Sequence, residues 1–173
     1  MPTQTFEHLK EPKKTLVTNA LIGEFSNYPL KDAQVSRIIE AAVIARGAFY
    51  KYFADTNDAY NYVFHLAMAD FHMGFNKISE SNFNLEEFID SLTTFIDQVL
   101  SSRFYQLLKQ HYLYNESSYQ KNDQSGLSKM AQLPPVIWSI ATLSHEAIRE
   151  LLTFPEQKQQ IIQKLTTSIS KLI

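Results

Sequence analysis

Residues 35–53, VSRIIEAAVIARGAFYKYF, decide the fold of this chain. Their apolar residues recur at the spacing of one helical face, and after a short break they recur at the spacing of a second helix. The first set is Val35, Ile38, Ile39 and Ala42, and the second set is Ile44, Phe49 and Phe53. Because only about three residues separate the two sets, the two helices must cross at a steep angle. The stretch therefore predicts two short helices joined by a tight turn.

The second short helix must expose the face that the first helix does not cover. That face carries two cations, a tyrosine hydroxyl and a glycine that lets another backbone approach closely, at Arg46, Gly47, Tyr50 and Lys51. Cations and hydroxyls of this kind bind phosphate oxygens and base edges. The pattern therefore favours DNA binding by this helix.

The run EAAVIARGAFYKYF, residues 40–53, resembles the DNA-binding module of the tetracycline-repressor (TetR) family. That module reads roughly A-A-G-V-S-x-G-x-[LF]-Y-x-[HY]-F, and the match extends without a gap from about Leu16 to Tyr60. The resemblance implies an all-α fold with two domains. An N-terminal three-helix helix-turn-helix domain, residues 1–55, would precede a helical effector-binding and dimerisation domain, residues 56–173.

The resemblance also implies a function. Such a protein would be a homodimeric transcriptional regulator, a repressor, that binds double-stranded operator DNA and is released by a small apolar or aromatic effector. The alternative is an all-helical interaction protein that keeps the module but binds a protein partner. An enzyme is not expected, because the chain has no nucleophile motif, phosphate-binding loop or HExxH sequence.

The chain departs from the TetR pattern at several positions. Val43 stands where the family has the glycine of the turn, and a β-branched residue at φ > 0 costs about 1–2 kcal/mol. Ala45 replaces the Ser or Thr that caps the second helix, which loses about 1 kcal/mol of capping. Ala33 and Ala48 also stand where threonine is common. The resemblance places the following residues at the DNA: Ala33, Ala45, Arg46, Gly47, Tyr50 and Lys51.

Residues 1–13 show no sustained periodicity, and they are expected to form an arm ahead of a helix at residues 14–25. Lysines cluster at the end of this arm, and Lys10 and Lys14 are candidates for contacts with the DNA backbone. A solvated tail is the alternative interpretation. Asp32 is expected to cap the next helix, residues 33–42, with its carboxylate.

Composition agrees with a helical, globular protein. Of the 173 residues, 45% are hydrophobic and 20% charged, and the small number of glycines and prolines favours long helices. The absence of cysteine excludes disulfides and zinc–thiolate sites. The net charge of −2 divides into +2 for residues 1–53 and −4 for the remainder, so the positive charge coincides with the motif.

No apolar run approaches the ~20 residues of a membrane span, and the N-terminal residues lack the apolar centre of a signal peptide. A soluble, cytoplasmic protein without membrane contact is therefore expected. His65 and His72 lie two helical turns apart, about 10 Å by helix rise, which is too far for one metal ion. No cofactor or metal is expected.

Further helices are predicted at residues 55–76, 85–101, 104–114, 136–154 and 155–173, with a loop at 115–126. Among them, aromatic and polar side chains suggest a cavity for an effector. The candidate effector-binding residues are Phe64, Phe71, Tyr105, His111, Tyr112 and Trp138. Alternatively, the tyrosines and histidine hydrogen-bond one another in a dry core.

The last two predicted helices carry apolar residues on more than one face, so one face is expected to pack on a second subunit. This matches the four-helix dimer interface of the TetR family. The candidate dimer-interface residues are Ile140, Leu143, Ala147, Leu151, Ile162, Leu165 and Ile169.

Overall fold

The computed structural model describes residues 2–71, 83–117 and 131–173. All regular secondary structure in these ranges is helical, which confirms the predicted all-α class. The helices are α1 (Gln4–Glu7), α2 (Glu11–Asn27), α3 (Val35–Ala41), α4 (Arg46–Tyr52), α5 (Thr56–Asp70), α6 (Leu85–Ser101), α7 (Tyr105–Gln110), α8 (Pro135–Thr153) and α9 (Lys158–Ile169). Turns of 3-10 helix lie at Leu30–Asp32 and Pro155–Gln157, and a π-helical turn follows α7 at His111–Asn115.

Most helices lie where the apolar periodicity predicts them, and the differences are at their ends. Helix α2 begins earlier than predicted, because Pro12 occupies its first turn, where the missing N–H of proline is not needed. The helix predicted to reach residue 76 ends at Asp70. Residues 72–76, which include His72, lie outside the described ranges. Of the predicted loop, residues 115–117 are helical and residues 118–126 lie outside the description.

The expectation of an irregular arm at residues 1–13 is wrong for residues 4–7, which form the single turn α1. Thr3 caps this turn, since its hydroxyl accepts the N–H of Phe6 at 3.4 Å. The side chain of Phe6 is fully buried. Burial of this aromatic side chain against distant residues stabilises a turn that four residues could not form alone.

The chain divides into two compact units, one formed by Met1–Asp70 with Gln106–Asn115 and the other by Phe71–Tyr105 with Glu116–Ile173. In the first unit, α2 packs against α3 and α5, and α3 packs against α4. The core of this unit is aromatic, with Phe25, Phe49, Phe53 and Tyr60 fully buried. Helix α2 therefore supports α3, the first of the two short helices predicted from residues 35–53, and α3 in turn packs against α4.

In the second unit, α6, α8 and α9 pack against one another. The apolar stripe of α6 is buried throughout, so this helix lies in the core of the unit. Its residues are Phe88, Leu92, Phe95, Ile96 and Val99. The functional boundary predicted between residues 55 and 56 differs from the division into compact units, and it stays a prediction.

Candidate nucleic-acid interface

The turn between α3 and α4 contains the one non-glycine residue with positive φ in the described part of the chain. That residue is Val43, with φ of 51°. Its side chain is 85% exposed, so burial in the core does not compensate for the strained backbone. The backbone at Val43 therefore has the left-handed conformation that favours glycine. This is the conformation in which a β-branched residue costs about 1–2 kcal/mol.

Helix α4 begins without a side-chain cap. Its N-cap residue, Ala45, has the extended backbone typical of that position, with φ of −71° and ψ of 149°, but a methyl group cannot accept a hydrogen bond. This confirms the predicted loss of capping. In the first turn, the N–H of Ala48 donates to the carbonyl of Ala45 at 2.9 Å, and Arg46 and Gly47 are exposed residues.

One face of α4 is buried and the other is exposed. Phe49 and Tyr52 are buried against the first unit, whereas Arg46, Gly47 and Lys51 are exposed. Tyr50, 48% exposed, lies next to Arg46 in space: the guanidinium is 5.8 Å from the tyrosine ring and 3.5 Å from its hydroxyl. The structure therefore brings these four candidate residues together on one helix, with a cation held against an aromatic ring.

No heavy atom lies within 4 Å of a Cβ placed at Gly47, so packing does not require glycine there. The backbone at this position faces open space. A ligand that approaches α4 at Gly47 can therefore come as close as the peptide backbone allows.

Asp32 does not cap α3, contrary to expectation. It ends a 3-10 turn, and the N-cap residue of α3 is Gln34, whose side chain makes no capping bond. The backbone N–H of Gln34 instead donates to the buried carboxylate of Glu24 in α2 at 2.7 Å. The cap is thus supplied by another helix.

Glu24 also binds Arg37 of α3, with nitrogen–oxygen distances of 2.6–3.1 Å. This hydrogen bond is the main reason why the pKa of Arg37 is raised above its usual value. The Arg37 guanidinium further lies 3.8 Å from the ring of Tyr28 and donates to the carbonyl of Asp32. Glu24 and Arg37 therefore fix the start of the helix-turn-helix.

Sequence reasoning did not identify Glu24, although a signal was present. Val17, Leu21 and Glu24 follow the i, i+4, i+7 spacing, so the carboxylate lies on the same face as two buried apolar side chains. A charge on a buried face requires a partner. The pattern therefore indicates a cationic or N–H partner without naming it.

The N-terminal candidates for DNA contact differ in their surroundings. Lys10 is exposed and precedes α2. The ammonium of Lys14 pairs with the carboxylate of Glu7 at 2.9 Å and lies 5.6 Å from the ring of Phe6. The hydrogen bond to Glu7 raises the pKa of Lys14. Ala33 is half-buried and follows the 3-10 turn.

The candidate effector residues fall in both compact units. In the first unit, Phe64 stacks on His111 at 4.1 Å between ring centres, and Nδ1 of His111 lies 2.8 Å from the hydroxyl of Tyr60. Tyr112 meets the edge of His111. These contacts bring Phe64, His111 and Tyr112 together in this unit.

In the second unit, the hydroxyl of Tyr105 donates to the carbonyl of Leu152 at 3.0 Å. Phe71 contacts Phe95 and Phe104 edge to face. The side chain of Trp138, on α8, is 49% exposed. Tyr105 and Phe71 are therefore engaged in contacts within this unit, whereas the indole remains accessible.

Most of the residues predicted for the dimer interface are buried within the single chain. The buried residues are Ile140, Ala147, Leu151, Leu165 and Ile169. Their assignment to a partner-facing surface was wrong, because α8 and α9 bury these side chains against each other and against α6. Leu143 is 37% exposed and Ile162 is half-buried, so these two remain candidates.

An open groove of about 100 Å³ runs between α8 and α9 beside Leu143. Ala147, Leu165 and the ion pair of Glu150 with Lys164 also line this groove. The outward surface of the helical hairpin is therefore mixed, with one exposed leucine among charged side chains.

None of the helices in residues 2–71, 83–117 and 131–173 is both long and apolar enough to span a lipid bilayer. Within the same residues, no three His, Asp or Glu side chains lie close enough together to hold a metal ion.

Helices α3 and α4, with a tight turn between them and an exposed cationic face on α4, define an all-α protein with a helix-turn-helix. Its fold is that of a TetR family transcriptional regulator. The crystal structure of such a regulator from Chloroflexus aurantiacus J-10-fl matches 99% of this chain and 96% of its own chain, with a TM-score of 0.57 and 21% sequence identity. No protein-family model matches the chain, and no curated protein matches it either.

Proposed function

We propose that the protein is a cytoplasmic transcriptional regulator, a repressor, that binds double-stranded operator DNA through α4. The observation that carries this proposal is the exposed face of α4, where Arg46, Tyr50 and Lys51 lie on a helix anchored by buried Phe49. Arginine binds guanine edges or phosphates, and lysine binds phosphates. The shared fold supports the same conclusion.

The missing hydroxyls determine how this surface binds DNA. Ala33, Ala45 and Ala48 cannot donate to phosphate, so the phosphate contacts depend on Lys51, Lys10 and the free N–H groups at the start of α4. Contacts made by cations release counterions. The affinity is therefore expected to depend strongly on salt concentration.

We further propose that the protein acts as a homodimer. Helix α4 has seven residues, and one short recognition helix contacts too few base pairs for specific binding. Two copies reading successive major grooves would lie about 34 Å apart. The exposed Leu143 beside the groove between α8 and α9 supports this hairpin as the subunit contact.

Selection of genomic fragments by the purified protein tests DNA binding. We expect enrichment of a small set of fragments that share an inverted repeat. The matched control is the double variant Arg46→Ala, Lys51→Ala, in which both side chains are exposed and the fold should be unaffected. Equal recovery of all fragments by both proteins, together with capture of one specific protein partner, would favour the alternative interaction protein.

Release by a small apolar or aromatic effector completes the proposal. Phe64, His111 and Tyr112 are candidate contacts in the first unit, and Trp138 is the only tryptophan, so the intrinsic tryptophan fluorescence has a single source. Coupling of about 1–3 kcal/mol between effector and DNA is enough for release. The test is a screen of lipophilic compounds by Trp138 fluorescence, followed by DNA release for each hit. Tight ligands that leave the DNA complex intact would contradict the coupling.

A further inference from the structure

We propose that the N-terminal residues Thr3 and Phe6 are positioning residues for the recognition helix α4, and that DNA affinity depends on them although neither contacts DNA. This inference rests on the proposed function of α4. It differs from the expectation of a basic arm that contacts DNA directly, because Thr3 and Phe6 contact other residues of the protein.

Thr3 caps the C-terminal end of α4. The last carbonyl groups of a helix have no partners within it. The carbonyl of Phe49 accepts from the N–H of Phe53 at 2.9 Å, whereas the carbonyls of Lys51 and Tyr52, the last two residues of α4, accept from Thr3. The Thr3 hydroxyl donates to the carbonyl of Lys51 at 2.6 Å, and the backbone N–H of Thr3 donates to the carbonyl of Tyr52 at 3.0 Å.

The Thr3 hydroxyl has a second partner, because its oxygen also accepts the N–H of Phe6. One oxygen atom thus joins the beginning of α1 to the end of α4. The bond spans 48 residues of sequence, so it is made only when both segments are in place. Loss of this hydroxyl would remove both of its bonds and leave only the backbone bond from Thr3 to Tyr52 and the packing of Phe6 at this end of α4.

Phe6 holds the same end of α4 by packing. Its fully buried ring lies 5.8 Å from the ring of Tyr52, 4.8 Å from Phe53 and 5.0 Å from Tyr62. Tyr62 belongs to α5, and its hydroxyl lies 3.1 Å from that of Thr18 in α2. Phe6 therefore fills the space between the end of α4 and the helices behind it.

The ion pair of Glu7 with Lys14 ties α1 to α2. Because the pKa of Lys14 is raised, this pair contributes stability below the usual lysine pKa of 10.5 and loses it only as the pH rises above that value. Lys14 therefore stays charged near neutral pH, and its ion pair with Glu7 keeps its contribution to the docking of α1 there.

Helix α4 needs support at this end because its other end is weak. It has seven residues, fewer than the roughly 12–15 that an isolated helix requires. It starts without a side-chain cap at Ala45 and follows a strained residue at Val43. The positions of Arg46 and Lys51 thus depend on the C-terminal contacts with Thr3 and Phe6.

The test compares Thr3→Val with two controls in the full chain. Valine keeps the shape of threonine but removes the hydroxyl. Thr3→Ser restores the hydroxyl, and Thr5→Val removes a hydroxyl from an exposed neighbour on α1. We expect Thr3→Val to weaken binding to the selected fragments by about fivefold, mainly through loss of the hydrogen bond to the Lys51 carbonyl, with both controls within about twofold of wild type.

Amide hydrogen exchange of the DNA-free protein at residues 50–53 provides a readout that does not depend on DNA. Thr3→Val should accelerate exchange there by about fivefold, while exchange in α6 stays unchanged. Phe6→Ala should act in the same direction more strongly, and Phe6→Leu should recover most of the effect. If Phe6→Ala unfolds the chain, as circular dichroism would show, Thr3→Val decides alone.

The outcomes separate this inference from the proposed function. If the wild-type chain binds no DNA, the proposed function fails, and exchange at residues 50–53 still decides whether Thr3 holds α4. Weaker DNA binding by Thr3→Val with unchanged exchange would mean that Thr3 contacts DNA directly, and would overturn the inference. Wild-type affinity in Thr3→Val would overturn it as well.

Discussion

The Glu24 carboxylate accepts the backbone N–H of Gln34 at 2.7 Å, so a residue of α2 caps a helix whose N-cap residue lies ten residues later in the sequence. In a capping box, the third residue of a helix is Glu or Gln, which bonds back to the N-cap N–H. Here the third residue of α3 is Arg37, which binds Glu24. The carboxylate of Glu24 accepts the N–H of the N-cap residue in place of a side chain at that third position. The start of α3 is therefore tied to α2.

Replacement of Glu24 by alanine should lower the free energy of unfolding by about 1–3 kcal/mol, because the Gln34 N–H and the Arg37 guanidinium both lose the buried carboxylate as their partner. Glu24→Gln should lie between wild type and alanine, since an amide oxygen can still accept from Gln34 but carries no charge for Arg37. Urea unfolding measures both. The control is Glu40→Ala, an exposed position on α3, expected within about 0.5 kcal/mol of wild type. Equal stability of Glu24→Ala and Glu40→Ala would contradict the capping role.

Val43→Gly should raise the stability slightly and leave DNA affinity no worse. Relief of the positive φ contributes about 1–2 kcal/mol, and the greater freedom of glycine in the unfolded chain offsets about 0.5–1 kcal/mol of that. Ala41→Gly, at an exposed helical position with ordinary φ, should instead lose about 0.5–1 kcal/mol. Thermal unfolding compares the two variants. A loss in Val43→Gly above about 1 kcal/mol would show that the valine side chain makes a stabilising contact.

Ala45→Ser should stabilise the protein by about 1 kcal/mol, because the residue already has N-cap backbone geometry and serine supplies the missing acceptor. The same hydroxyl should raise DNA affinity by adding a donor to phosphate. Denaturant midpoints and fragment-binding titrations measure the two effects. Ala45→Val, which adds bulk without an acceptor, should give neither gain. An unchanged midpoint in the serine variant would argue against residue 45 as the N-cap of α4.

Lys51→Ala should weaken binding to all DNA sequences alike and lower the slope of log affinity against log salt by about 1, as loss of one phosphate contact does. The C-terminal contact of α4 should survive, because Thr3 bonds the carbonyl of Lys51 and not its side chain. Lys171→Ala, an exposed lysine beyond α9, serves as the charge-matched control and should leave the slope unchanged. An unchanged slope and affinity in both Lys51→Ala and Tyr50→Ala would rule out this face of α4 as the DNA surface.

Leu143→Glu should convert a dimer into a monomer, because a carboxylate would enter an apolar contact between subunits. The matched control is Leu172→Glu. Leu172 is 38% exposed, close to the 37% of Leu143, but it lies beyond the end of α9. Sedimentation velocity at micromolar concentration measures both variants. A wild-type monomer under those conditions would contradict the dimer, and a dimeric Leu143→Glu would place the interface elsewhere.

Spacing within the sequence determined the local features of this protein. The two short helices, the exposed set on α4 and the buried stripe of α6 follow from side chains that are neighbours along one helix, and helix geometry alone brings such residues to one face. Comparison with the TetR pattern likewise indicated two weak points, the turn at Val43, which is strained if its φ is positive, and the uncapped start at Ala45. Neither result needed knowledge of a distant contact.

Only the tertiary structure decided how those helices are held. The cap from Glu24, the contact of Thr3 with the end of α4 and the burial of Phe6 join residues that are far apart in the sequence, and no periodicity encodes such pairs. The same holds for α8 and α9. Their apolar residues exceed one face, but which of them lie inside the subunit depends on packing against each other and α6. Ile140 and Leu151 are buried for that reason, whereas Leu143 remains accessible.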